Sequence, residues 1–188
     1  MDCDLLVKNG RVVSAEGIDA ADVAVKDGRV AALLAPHVRD GVRAAQVLDA
    51  EGRLVMPGAI DVHAHLNDPG FTWREDFAHG TAAAAAGGVT TVVDMPLQNE
   101  PALTDAAIFA RKFEAVRDEA LVDYAFWGGL TGDNLDKMRA LHDAGVTAFK
   151  VFLGPVSPDY RTLTLGVVRE ALEVASSFGG LVGFHAED

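Results

Sequence analysis

The chain has 188 residues and a mass of 19.8 kDa, which is enough for one domain with a sizeable core or for part of a larger protein. Lys and Arg number 16 against 28 Asp and Glu, a formal net charge of −12, so a nucleic-acid backbone or an anionic membrane would repel the chain. Hydrophobic residues make up 49% and charged residues 23%, a composition that is typical of a folded soluble protein and excludes a disordered one.

The first part of the chain, up to Pro57, has a pattern of short β-strands. Strands are predicted at 4–13, 21–26, 29–34 and 46–49. Asn9-Gly10 and Asp27-Gly28 predict tight turns, because these dipeptides tolerate positive φ angles. We expect a small antiparallel sheet. The single cysteine, Cys3, forms no internal disulfide and no leader is recognisable, which favours a reduced, cytoplasmic protein.

From Leu54 onward the pattern alternates between apolar strands and amphipathic helices, which predicts an α/β fold. Strands are expected near 58–65, 90–95, 122–129, 147–153 and 181–186. Helices are expected between them, the first over 75–86 and the second capped by Thr104. The stretch 77–93 carries no charged residue but is too short for a membrane span, and it predicts a buried helix followed by a buried strand.

The number of strands leaves two architectures open. A closed barrel of βα units needs eight strands and typically ~250 residues, and the pattern here reaches only the fifth strand. The sheet is therefore either open and complete at five strands or part of a truncated barrel. The chain ends directly after His185-Ala186-Glu187, without the helix expected next, which favours truncation.

Side chains able to carry chemistry lie at the carboxyl ends of three predicted strands, where α/β folds place their active sites. In Asp61-Val62-His63-Ala64-His65 the two imidazoles are two residues apart, so they point to the same side of a strand and can reach one metal ion. Two incidental histidines would give the same pattern. Asp61 either orients a ligand or is a solvated carboxylate.

Lys150 and His185 are the other two candidates. Lys150 lies within an apolar strand, where it must find a partner or lose its proton; a neutral amine is nucleophilic and can form a Schiff base or a carbamate. The alternative is a lysine that extends outward or pairs with an acid. His185 follows another apolar run, and a lone histidine there is otherwise a hydrogen-bonded core residue.

These motifs, in this order, resemble the cyclic amidohydrolase branch of the amidohydrolase superfamily, which contains dihydroorotases, hydantoinases and allantoinases. The stretch 55–66, with the histidine pair, looks like the first barrel strand of that branch. The match continues through Gly87-Gly88-Val89-Thr90-Thr91, Asp94-Met95-Pro96, Phe149-Lys150-Val151-Phe152 and His185-Ala186-Glu187. The resemblance implies part of a small β-sandwich over 1–54 and the amino-terminal portion of a (β/α)8 TIM barrel over 55–188.

The resemblance also implies the roles of the site residues. His63 and His65 would bind one divalent metal ion and His185 a second, both expected to be zinc, and a carboxylated Lys150 would bridge the two. A carbamate is an anionic ligand with two oxygens, which an unmodified lysine is not. A hydroxide held between the metals would attack the carbonyl carbon of a cyclic amide, and hydrolysis of the C–N bond would open the ring.

Asn67 and Asn99 are the implied substrate-binding residues. Dihydroorotases usually have an arginine at the position of Asn67, and an asparagine there, followed by Asp-Pro-Gly, resembles allantoinases. Allantoinases usually have Asn-Ser where this chain has Gln98-Asn99, a departure from the pattern. The implied partner is a cyclic ureide or amide, with no nucleic acid and no membrane.

The sequence leaves other functions open. A dihydroorotase or a hydantoinase (dihydropyrimidinase) is the enzymatic alternative, and a non-catalytic interaction fragment is the third. The family takes a further metal-binding histidine and a proton-shuttling aspartate from later strands, which these 188 residues do not contain. We therefore expect the chain to be inactive alone and the activity to belong to a longer parent, a dimer or tetramer by resemblance.

Overall fold

The computed structural model describes residues 1–156 and 160–187. The chain divides into two compact units, Met1–Pro57 and Gly58–Asp188. Each has its own sheet.

The amino-terminal unit is a mixed sheet. Its strands are β1 (Asp2–Val13), β2 (Ile18–Lys26), β3 (Arg29–Leu34), β4 (Arg43–Asp49) and β5 (Leu54–Val55). The first three pair antiparallel, but β4 and β5 both run parallel to β1. The expectation of an antiparallel sheet is wrong for these two strands, because the connections before them carry the chain back along β1 in the same direction.

One of the two predicted turns is confirmed and the other is wrong. Asp27 and Gly28 have φ angles of 51° and 71° and connect β2 to β3. Asn9-Gly10 instead lies inside β1, where the register with β2 shifts between Val7 and Gly10. Asn9 has a φ of 58° there, so the positive φ tolerated by this dipeptide forms a β-bulge rather than a hairpin.

The second unit has the predicted α/β pattern. Its elements are β6 (Ala59–Ala64), α1 (Phe77–Ala86), β7 (Val89–Asp94), α2 (Ala106–Val116), β8 (Asp123–Gly129), α3 (Met138–Ala144), β9 (Ala148–Phe152), α4 (Leu165–Ser176) and β10 (Val182–His185). The strands form one parallel sheet in the order β10-β9-β8-β7-β6. The predicted fold class is confirmed, and each of the five strands lies within about one residue of its expected position.

Side-chain oxygens cap the first, second and fourth helices. Asp76 caps α1 by accepting from His79 N, and Thr164 caps α4 by accepting from Val167 N. The second helix begins one residue later than predicted, because Asp105, not Thr104, accepts from Ile108 N at 2.9 Å. Such caps satisfy backbone donors that have no partner within the helix.

The uncharged stretch 77–93 is a helix followed by a strand, as predicted, but the helix is not buried. In α1 only Phe77 and Thr81 are buried, and most of its alanines are exposed. Alanine tolerates both environments, so an alanine-rich run gives little indication of which face packs. No helix among residues 1–156 and 160–187 is long and apolar enough to cross a membrane.

The parallel sheet separates a hydrophobic core from the face that carries the candidate residues. Phe149 and Val151 of β9 are fully buried in the core shared with the helices. Successive side chains of a strand point to opposite faces, so Lys150 and Phe152 point away from that core. The other face of β9 thus receives the lysine.

Candidate metal centre

The four residues predicted to bind metal lie on three strands of one parallel sheet. His63 is in β6, His65 directly follows that strand, Lys150 is in β9 and His185 is the last residue of β10. Parallel strands end at the same edge of a sheet, so the sheet places the histidines at one edge, with Lys150 two residues before the end of its strand.

The imidazoles and the lysine are close enough to influence one another. The rings of His63 and His65 have centroids 5.4 Å apart. Burial lowers the pKa of His63, and the positive charges of Lys150 and His185 lower it further, against the opposing effect of Asp61. Burial also lowers the pKa of His65, as do His63 and Lys150. Both shifts favour the neutral imidazole, the form that binds metal ions.

Lys150 is a buried lysine, and no acidic side chain among residues 1–156 and 160–187 pairs with it. The residue is only 5% exposed, and this burial lowers its pKa. Its Nζ lies 5.2 Å from the centre of the Phe152 ring, and that ring lies 5.2 Å from the ring of His185. The lowered pKa makes the neutral, nucleophilic amine easier to reach than in a lysine exposed to water.

The three candidate histidines can bind metal ions only together with Lys150. Nδ1 of His65 is buried and has no hydrogen-bond partner among the described residues, so it is free for a ligand. In the same part of the chain no three His, Cys, Asp or Glu side chains are grouped to hold a metal ion by themselves. His185 Nε2 lies 2.7 Å from Glu187 Oε1. A pair of imidazoles beside a lysine that would become anionic if carboxylated has the chemistry a divalent cation needs.

Asp61 contacts the backbone of the strand end and not an imidazole. Its Oδ1 accepts a hydrogen bond from His63 N at 2.9 Å. This contact steadies the backbone directly before the histidine pair.

Trp127 and Tyr160 hold the strands that carry the candidate ligands. Trp127 Nε1 donates to Val62 O at 2.9 Å and so joins β8 to β6 next to His63. Tyr160 Oη donates to Lys150 O at 3.0 Å. A hydrogen bond of this kind crosses the sheet and leaves no local pattern in the sequence.

The two predicted substrate-binding asparagines lie in the loops after β6 and β7. Asn67 is 4% exposed, adopts a φ of 54°, and its Oδ1 is buried with no partner in the described part of the chain. Asn99 is engaged within the protein: its Nδ2 donates to Met95 O and Leu97 O at 3.0 and 3.1 Å. Contact of either residue with substrate stays a prediction.

Sequence reasoning missed a buried ion pair beside these asparagines. Lys112 of α2 is 1% exposed and Asp94 at the end of β7 is 0% exposed, with Nζ and Oδ2 2.8 Å apart. The signal was present in the sequence, because Ile108, Lys112 and Val116 recur every four residues on the buried stripe of α2.

The loops at the same edge of the sheet enclose a cavity of about 790 Å³. Its lining includes Arg74, Asn99, Glu100, Lys137 and Arg161, but none of the four candidate ligands. The prediction that His63, His65, Lys150 and His185 carry the chemistry therefore rests on their donor types and not on this cavity.

Comparison with known proteins identifies the class. The amidohydrolase family model matches residues 54–188, so the chain belongs to the amidohydrolase family. An allantoinase of Streptomyces avermitilis is 41% identical over 188 residues, which are 100% of this chain and 42% of the relative. An allantoinase of Rubrobacter xylanophilus is 41% identical over 98% of this chain and 40% of its own length.

Solved structures have the same fold. An L-hydantoinase (dihydropyrimidinase) from Arthrobacter aurescens superposes with a TM-score of 0.92 at 36% identity, covering 99% of this chain and 41% of that one. A D-hydantoinase superposes with a TM-score of 0.82 at 32% identity, over 98% of this chain and 40% of the other. The chain thus spans about two fifths of the length of these relatives, and the barrel type expected for the fold is confirmed.

Proposed function

We propose that these residues belong to a metal-dependent cyclic amidohydrolase that opens the ring of allantoin. The observation that carries the proposal is Lys150, which is buried on the sheet that also carries His63, His65 and His185, with no counter-ion in the described part of the chain. The similarity to two allantoinases at 41% identity supports the choice of allantoin.

Each candidate ligand has a proposed task. His63 and His65 would hold one divalent ion, expected to be zinc, His185 would hold a second, and a carboxylated Lys150 would be an anionic ligand to both. To form the carbamate, the neutral Nζ attacks the carbon of carbon dioxide; an N–C bond forms, one C=O π bond opens and the amine releases a proton. When bound, the ions supply Lewis acidity toward the amide carbonyl and an activated water at neutral pH. Asn67 and Asn99 orient the ring.

A hydantoin is the second candidate substrate. The L-hydantoinase from Arthrobacter aurescens covers 99% of this chain with a TM-score of 0.92. Allantoin itself contains a hydantoin ring, so the same residues suit either substrate, and a substrate panel must separate them.

The first experiment measures metal and mass on the purified chain, with Lys150→Ala and, as a control, Lys137→Ala. Lys137 is a half-exposed lysine that pairs with Asp105. We expect divalent metal and a mass increase of one carbon dioxide in the unaltered chain and in the control, and neither in Lys150→Ala. Metal bound equally by all three proteins would refute the bridging role of Lys150.

The second experiment tests the reaction. We expect the 188-residue chain alone to hydrolyse no allantoin, and a chimaera of residues 1–188 followed by the remaining length of the Streptomyces avermitilis allantoinase to hydrolyse it. The chimaera is also offered hydantoin and dihydroorotate. A preference for either of these over allantoin would overturn the assigned substrate, and turnover by the 188 residues alone would overturn the need for further strands.

Two properties of the whole protein complete the proposal. A cytoplasmic location in purine catabolism is supported by the buried free thiol of Cys3 and by the allantoinase relatives. We also propose a dimer or tetramer, which size-exclusion chromatography of the chimaera tests.

A further inference from the structure

The ion pair between Lys112 and Asp94 is buried at the edge of the sheet that carries the candidate ligands. Lys112 is 1% exposed and Asp94 is 0% exposed. Removing two charges from water is costly, and a buried pair adds little net stability compared with apolar side chains of the same volume. We therefore expect the pair to matter for the positions of the residues around it and not for the overall stability of the fold.

The surroundings of Lys112 match an ammonium group. Its Nζ lies 2.8 Å from Asp94 Oδ2, donates to Asn99 Oδ1 at 2.7 Å and donates to the carbonyl oxygen of Asp68. Three acceptors surround a group that has three N–H bonds. Burial lowers the pKa of Lys112 and raises that of Asp94, and their mutual attraction opposes both shifts.

The pair connects the loop after β6 to the loop after β7. The second oxygen of Asp94 accepts from Leu66 N at 2.7 Å, directly after His65. Lys112 contacts Asp68 in the first loop and Asn99 in the second. Glu100 N also donates to Pro69 O at 2.8 Å, so the two loops contact each other through their backbones.

We propose that Lys112 and Asp94 are positioning residues for substrate binding, which together hold residues 66–70 and 95–101 so that Asn67, whose Oδ1 has no partner in the described part of the chain, can contact the substrate. The proposal rests on the proposed function for its substrate. Lys112 acts through the loops: it donates hydrogen bonds to Asp68 O and Asn99 Oδ1, and its third contact is the ion pair with Asp94.

A double substitution separates positioning from simple stability. Lys112→Met alone leaves a buried carboxylate without a counter-ion and is expected to lower the melting temperature. Combining it with Asp94→Asn removes both charges, and the new amide oxygen can still accept from Leu66 N. We expect the double variant to recover the melting temperature but not the contacts of Lys112 with Asp68 and Asn99. Lys26→Met, at an exposed strand position, is the matched control.

Hydrogen exchange on the 188-residue chain is the first readout. In the double variant we expect the peptides covering 66–70 and 95–101 to exchange faster, on the order of tenfold, while β8 and β9 keep their protection. Protection equal to that of the unaltered chain in both loops would overturn the proposal. Faster exchange spread evenly over the five strands would also overturn it, because that indicates a general loss of stability.

Kinetics of the chimaera are the second readout. Displaced loops should raise KM for allantoin by roughly tenfold or more, while kcat and metal content stay close to those of the unaltered chimaera. A fall in kcat with unchanged KM would contradict a positioning role. If the unaltered chimaera neither binds metal nor turns over, the proposed function fails, and hydrogen exchange on the 188-residue chain still decides whether the pair holds the loops.

Discussion

Two glycines allow aromatic side chains to reach the strands that carry the candidate ligands. A Cβ on Gly183 would lie 2.7 Å from the ring of Trp127, whose Nε1 donates to Val62 O. A Cβ on Gly129 would lie 2.6 Å from Tyr160 Oη, which donates to Lys150 O. A Cβ atom cannot lie so close to a ring carbon or a hydroxyl oxygen. Both hydrogen bonds therefore depend on glycine at positions 129 and 183.

We expect Gly183→Ala to displace Trp127 and to lower the free energy of unfolding by about 1–3 kcal/mol. Denaturant unfolding followed by tryptophan fluorescence measures both effects. Gly166→Ala is the control, because its Cβ would meet nothing closer than 3.9 Å, and alanine in the first turn of α4 should leave stability equal or higher by up to about 1 kcal/mol. Equal midpoints for the two variants would contradict the packing argument.

At the scale of elements, the bulge in β1 is stabilised by a group of polar side chains. Asn9 N donates to Asp22 Oδ1 at 2.7 Å, and Asn9 Nδ2 donates to Asp49 Oδ1 at 2.9 Å. The hydrogen bond from Arg39 is the main cause that lowers the pKa of Asp22. The hydrogen bond from Asn9, with those from Glu51 N and Lys8, lowers the pKa of Asp49 to about 2.

The sheet of residues 1–57 should therefore lose stability in acid. A depressed carboxyl pKa contributes stability above the ordinary value of 3.8, and that contribution disappears as the pH falls toward about 2. Cys3, buried in this sheet and the single cysteine of the chain, reports its opening through labelling with a dithiodipyridine. We expect faster labelling below about pH 4.

Asp49→Asn should flatten this pH dependence, because the introduced amide does not titrate. Asp40→Asn, at an exposed loop position, should leave it unchanged. Labelling rates with the same pH dependence in the Asp49 variant and the unaltered chain would disprove the role assigned to Asp49.

The start of α2 gives a second prediction at this scale. Asp105 Oδ1 accepts from Ile108 N at 2.9 Å, so Asp105→Ala should cost about 1 kcal/mol of stability. Asp105→Asn keeps an oxygen acceptor and should retain most of it. Thermal unfolding monitored by circular dichroism separates the two variants; the same melting temperature for both would show that the charge, and not the cap, is what matters.

At the scale of the whole molecule, the parallel sheet has two edges. Among residues 1–156 and 160–187, β6 and β10 each pair with one neighbour only. Ile60, Val62 and Phe184 on these strands are 64%, 56% and 40% exposed. Unpaired backbone groups beside exposed apolar side chains favour pairing with another chain.

We expect the 188-residue chain to self-associate as its concentration rises, which analytical ultracentrifugation measures. Val62→Lys should weaken the association, because a charge on an edge strand opposes edge-to-edge pairing. Leu165→Lys, at a site that is 77% exposed on α4 and not on an edge strand, is the control. Association weakened equally by both substitutions would point to general hydrophobic contact instead of pairing at β6.

The order of elements in residues 58–187 and the four candidate ligands follow from the amino-acid sequence without the folded structure. Continuous apolar runs predict the five parallel strands within about one residue. The burial on both faces that such runs indicate is found in β9 but not in β6, whose side chains are mostly exposed. His63, His65, Lys150 and His185 stood out because each adds a polar group to such a strand.

The features that depend on a distant partner are found only in the folded chain. The parallel pairing of β4 with β1, the bulge at Asn9 and the ion pair of Lys112 with Asp94 join residues that are far apart in the chain. The same holds for the contact of Trp127 with Val62 O. A local sequence pattern indicates whether a segment forms a helix or a strand and which face it buries. A hydrogen bond or ion pair between distant segments depends on where the packed core places the two partners.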